Sequence, residues 1–218
     1  SYQGGPSKAG LIYGTNAFGA VTDAVASVVS GGTVNIGAGS YLDGAVTTTK
    51  NNLTLNVSSG VTGFTGLVLD ASVTNGSATL TGAGAANLTG NAGNNTLTAN
   101  TGDNTIDGST GTDTAVFSGN YSTYTLAFSG SNITVTRTSD GSVDTVTNVE
   151  KLVFADKTVI VVGSAVGSEY TTVQSGINAA IAGDVVLVAP GTYSELITIG
   201  KSLTLLGAQA GVKATGSA

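Results

Sequence analysis

The chain has 218 residues, of which only 9% are charged, 33 are Gly and 2 are Pro, and Cys, Met, Trp and His are all absent. A formal net charge of -6 with seven Lys and Arg argues against a phosphate-backbone partner, so no nucleic acid is expected, and aliphatic runs such as "VVLVA" at 185–189 are far too short for membrane insertion by a spanning helix. Positive mean hydropathy with abundant Val, Ile, Leu and Thr excludes a disordered chain.

Many β-branched residues and Gly, with little Glu, Lys or Gln for helical surfaces, predict an all-β fold of short strands joined by tight turns. No initiator Met or signal peptide is present, which reads as a mature product or an excised piece; the lack of Cys leaves the compartment open.

The first unit, 1–89, opens with apolar residues at Phe18, Val21, Val25 and Val28. Their spacing of three to four marks one face of a short helix, which Gly31 is expected to stop. Strands follow at "TVNI" (33–36), "AVTTT" (45–49) and "LTLNV" (53–57). Few Asn-Gly pairs separate them, so they fit rungs of a coil better than a meander.

The next stretch, 90–116, divides into nine-residue blocks, "GNAGNNTLT", "ANTGDNTID" and "GSTGTDTAV", with "TGAGAANLT" before them. Gly93, Gly102 and Gly111 hold the fourth position, Asn95, Asn104 and Asp113 the sixth, and Leu97, Ile106 and Ala115 the eighth. The pattern resembles the calcium-binding β-roll of repeats-in-toxin (RTX) proteins. The resemblance implies Ca²⁺ as cofactor, since this hard cation takes about six to eight oxygens and a Gly-rich turn lets carbonyls converge on it. Candidate ligands are Asp113, Asn104 and Asn95, with Asp103 and Asp107 at positions where the family pattern places none. Only Asp113 supplies a carboxylate at position six, and Ala86 supplies no oxygen. Two readings therefore stand side by side: occupied calcium turns, or a metal-free, Asn-laddered solenoid.

Segment 117–165 resembles the β-rich segment that closes RTX rolls. Its alternations, "YTLAF", "ITVTR" and "DTVTNVEKLVFADKTVIV", predict antiparallel strands with turns at "SGSN" and "SDGS". Tyr121, Tyr124, Phe128, Val149, Leu152 and Phe154 are its expected core. Asp140, Asp144 and Glu150 read as solvated turn or edge charges, with a second calcium site as the alternative.

The last unit, 166–218, repeats the first without a gap at a constant offset of 152 residues: Tyr170 falls on Phe18, Val173 on Val21, Ile177 on Val25, Gly183 on Gly31 and Tyr193 on Tyr41. After a two-residue adjustment Leu203–Leu205 meets Leu53–Leu55. "EYTTVQSGINAAIAGDVVLVAPGTYSELITIGKSLTLLG" resembles the opening of a pectin-lyase-like parallel β-helix, a capping helix and its first rungs, with a further strand expected at "LITI". The first copy matches more loosely, with Ala38 for Pro190 and Asp43 for Glu195. The fold class that follows is a parallel β-helix and β-roll solenoid with a β-rich closing segment and short capping helices.

No catalytic residues can be assembled. Without His or Cys the usual bases and nucleophile pairs are missing, Arg137 is the only Arg, and Asp23, Asp43 and Asp70 are scattered. The chain is read as a non-enzyme: an extracellular, self-assembling module of a bacterial surface protein, of S-layer, filament or giant-adhesin type, whose partners are copies of itself. A module binding surface glycans is the alternative, and behind it a non-catalytic accessory part of a polysaccharide-modifying enzyme.

Overall fold

In the computed structural model, residues 20–163 and 169–208 are described. Phe18 and the neighbourhood of Gly167, the expected starts of the two coils, lie outside them. A short helix α1 (Val21–Ser27) leads into β1 (Thr33–Ile36), β2 (Gly39–Thr48), β3 (Leu53–Val57), β4 (Val61–Leu69), β5 (Ser77–Gly82), β6 (Asn87–Thr89), β7 (Thr96–Thr98), β8 (Thr105–Asp107) and β9 (Thr114–Val116). Odd-numbered strands stack in parallel into one sheet and even-numbered strands into a second, so each turn of chain contributes one rung to each face.

Inward positions line up in columns. Leu53, Ala78, Leu97 and Ala115 are successive partners in the first sheet, and Val46, Leu67, Leu88 and Ile106 in the second. Most are essentially inaccessible, and each large aliphatic side chain so buried contributes roughly 1.5–3 kcal/mol. One inward residue per three-residue strand is enough because parallel neighbours above and below complete its contacts.

The closing segment continues both columns. After a 3₁₀ turn at Tyr121–Thr123 come β10 (Tyr124–Ser129), β11 (Asn132–Arg137), β12 (Val143–Thr147), β13 (Lys151–Val153) and β14 (Thr158–Val162). β10 and β11 pair antiparallel, as expected. So do β11 with β12 and β13 with β14; on their other edges β12 lies parallel on β8 and β13 parallel on β9. They are further rungs of the solenoid, with Val146 over Ile106 and Leu152 over Ala115. Tyr124, Val149, Leu152 and Phe154 are buried, Tyr121 and Phe128 pack half-buried against them, and Phe117 and Phe154 stack at 5.4 Å.

The second coil begins on the same sheet. Helix α2 (Val173–Ala179) precedes β15 (Val185–Val188) and β16 (Thr204–Gly207), and β14, β15 and β16 pair in parallel. One nine-stranded sheet thus runs from β1 to β16. Both helices stop before their expected Gly, at Val28 and Ala180 in extended backbone. The strand expected at 196–199 is not formed. Its counterpart in the first coil is held in β2 by pairing with β4; residues 196–199 find no such partner among the described residues, and Leu196 stands 95% exposed.

Candidate functional site

Two nonapeptides make one turn, so alternate position-six side chains fall on opposite flanks. Asn104 and Asp113 each accept a hydrogen bond from the backbone N–H eighteen residues earlier, Ala86 N–H donating to Asn104 Oδ1 at 3.1 Å and Asn95 N–H to Asp113 Oδ1 at 2.6 Å, whereas Asn95 Oδ1 accepts from the Asn91 N–H of its own block. The closing segment extends both ladders. Asn104 N–H donates to Asp144 Oδ1 at 2.9 Å, and Asp113 N–H to Glu150 Oε2 at 2.6 Å. The expected ligands therefore separate into an Asn95–Asp113–Glu150 column and an Asn104–Asp144 column.

Asp144 and Glu150, expected in solvent, are buried; they take the ladder positions of the rungs that cap the roll. The signal lay in "DTVT" and "EKLV", which repeat the position-six oxygen and position-eight aliphatic of "NTID" and "DTAV". Asp140 is exposed and pairs with Arg137 at 2.7 Å, as a turn charge should. Asp103 and Asp107 join neither column: Asp103 Oδ1 accepts the Val143 N–H, and Asp107 Oδ1 accepts the Ser109 N–H and the Asn148 amide. Asp43 receives the Val21 and Thr22 N–H groups at the start of α1, and Asp70 accepts the Ser72 N–H.

Position two carries residues that sequence reasoning passed over. Asn91 Nδ2 donates to the Asp70 and Val73 carbonyls at 2.7 and 2.8 Å, and its Oδ1 accepts from Gly93 N–H and Asn95 Nδ2. Nine residues on, Asn100 Nδ2 donates to the Thr81 and Gly84 carbonyls, while its Oδ1 accepts from Gly102 N–H and Asn104 Nδ2. The two turns are built alike. In the third block the pair is Ser109 and Asp113. The Ser109 N–H turns to Asp107, and Asp113 Oδ2 is buried without a hydrogen-bond partner.

Burial pushes the Asp113 carboxyl up from 3.8 to about 7; the Asn95 N–H pulls it back, and the charges of Glu150 and Asp107 push further. Burial likewise raises Asp144 to about 6 against its bonds from Asn104, and raises Glu150. An orphaned carboxylate oxygen in low dielectric takes either a proton or a cation. Gly108 makes room for it: a Cβ there would stand 2.6 Å from Asp113 Oδ2 and overlap the Asn148 carbonyl.

At this turn the residues fit a calcium ion in kind, with Asp113 Oδ2 as the charged oxygen. Among the described residues no group of three or more His, Cys, Asp or Glu is placed to hold a metal, so most other ligands would have to be backbone carbonyls or hydroxyls. The Asn91 and Asn100 turns fit an ion poorly, because side-chain amides already bind their carbonyls.

Residues 80–115 match the family model described as RTX calcium-binding nonapeptide repeat, in four copies. These repeats are calcium-binding motifs, and here they form the middle of a β-solenoid. No curated protein and no solved structure matches the chain. Among the described residues no helix is long and apolar enough to cross a membrane.

Proposed function

We propose, from an RTX repeat segment built into a β-solenoid whose long sheet is shared with a second coil, that the chain is a structural module of a bacterial extracellular surface protein, of S-layer, filament or giant-adhesin type, that assembles with copies of itself and is stiffened by calcium. One observation carries the reading: the nine-stranded sheet passes through the first coil, the RTX turns, the closing segment and the second coil without interruption. Such a sheet suits a rod that bears load along its axis, because its strands are joined throughout by hydrogen-bond ladders, parallel except between β13 and β14.

The β16 edge supports assembly. Leu205 on β16 is exposed, as are Leu196, Ile197 and Ile199 in the segment before it, whereas Leu55, the first-coil counterpart of Leu205, is fully buried under β5. Among the described residues β16 has no strand on its outer side; an edge of that kind is a template for further strands, and head-to-tail stacking gives open filaments when the rotation does not close. No catalytic role belongs to the reading.

Electron microscopy of the purified chain in millimolar calcium and in excess chelator tests it. Filaments or sheets in calcium support the structural role, and their loss in chelator supports calcium stiffening. Monodisperse particles under both conditions overturn self-assembly.

A further inference from the structure

We infer that the side-chain amides of Asn91 and Asn100 stand in the cation's place, so that two of the RTX turns are locked by the chain itself and a metal ion is confined to the Asp113 turn. Three successive blocks carry the exchange. Where position six is Asn, at Asn95 and Asn104, position two is also Asn, and its Nδ2 is bonded to two carbonyls of the turn beneath. Where position six is Asp113, position two is Ser109, no amide reaches across, and a carboxylate oxygen is left unpaired in the interior.

An amide N–H₂ and a calcium ion answer the same need, since converging carbonyls require a positive partner. The amide supplies two directed hydrogen bonds and carries no charge, so its Oδ1 can accept from Asn95 or Asn104 in the same turn. A carboxylate at position six would lose that amide donor and face the Asn91 or Asn100 Oδ1 with an oxygen of its own. Amide at two and carboxylate at six are therefore mutually exclusive, and the sequence uses the first solution in two successive blocks and the second in the third. The inference stands whether or not the module assembles.

Calcium titration of the unmodified chain by calorimetry gives the stoichiometry. One ion per chain, or none, agrees with amide-locked turns at Asn91 and Asn100; two or more overturns the inference. Thermal unfolding of variants gives a second readout. Asn100→Ala should lower the Tm by about 3–6 °C, equally in calcium and in chelator, because the lock it removes is not metal-dependent. Asn100→Asp turns a carboxylate toward the Thr81 and Gly84 carbonyls; it should fall at least as far in chelator and recover most of the loss in calcium. An Asn100→Ala variant that loses stability only in chelator, or an Asn100→Asp variant that calcium does not rescue, contradicts the exchange.

Discussion

The two coils share a frame and differ in what covers it. In both, a carboxylate 22 residues downstream receives the first helical N–H, Asp43 from Val21 and Glu195 from Val173, each within 3 Å. In both, a tyrosine hydroxyl closes the next bend, Tyr41 onto Gly37 O and Tyr193 onto Ala189 O. The outward faces then part. Thr33, Asn35 and Asn56 on β1 and β3 are exposed or half-exposed, with Asn56 bonded to Asn35. Their counterparts are Val185, Leu187 and Leu206, and β15 is buried along its whole length.

The reason is a reversal of faces. Val159, Val161, Val185 and Leu187 belong to the core of the roll, while Ile160, Val162, Val186 and Val188 form a separate core with Val173 and Ile177 of α2. One sheet is therefore the inside of one coil and the outside of the next. At Gly176, a Cβ would overlap Val162; its first-coil counterpart is Ala24. The lesson is that duplication preserved the hydrogen-bonded frame, while the residues facing a neighbour changed with the neighbour.

The widest separation of the two regions is expected from pH. Asp113, Asp144 and Glu150 lie at or beyond the end of the roll, and all have raised pKa values. The contribution of Asp113 and Asp144 is fully present below the ordinary carboxylate range near pH 4 and is lost as pH rises through about 6 to 7, and Glu150, also raised by burial, acts in the same direction. In chelator, the closing half should be less stable at pH 8 than at pH 5 by an amount on the order of several kcal/mol, with the first coil little affected. Unfolding at the two pH values, with amide hydrogen exchange read separately for the closing segment and the first coil, checks this.

Next in size is Leu187→Asn, which buries an unpaired amide and should destabilise the second coil by about 2–4 kcal/mol. The mirror change, Asn35→Leu on an open face, should move stability by under about 0.5 kcal/mol. Denaturant unfolding of the pair breaks the comparison if their effects are equal. Gly176→Ala should cost about 1–3 kcal/mol by overpacking, visible as a lowered urea midpoint. The smallest effect is that of Glu195→Ala, about 0.5–2 kcal/mol for a lost helix N-terminal acceptor, read from helical circular dichroism.

Much of this plan was legible in the sequence. The 152-residue offset placed Tyr193 on Tyr41 and Glu195 on Asp43, and these pairs make equivalent bonds. The nonapeptide register placed Leu97, Ile106 and Ala115 in the columns they occupy. Asp144 and Glu150 were misread as solvated because a charge beside a turn ordinarily is; only the continuation of β8 and β9 by β12 and β13 buries them. The roles of Asn91 and Asn100 depend on carbonyls about twenty residues earlier, and a family pattern written for position six does not record them. The missing strand at 196–199 has the right residues, but a strand also needs a neighbour.

The most direct test of the continuous sheet is amide hydrogen exchange along the intact chain. If the solenoid runs unbroken through the closing segment, amides of Val185–Val188 exchange nearly as slowly as those of Leu53–Val57 in the first coil. Rapid exchange at Val185–Val188 beside slow exchange at Leu53–Val57 would contradict it, making the second coil an independent unit rather than one that shares the sheet of the roll.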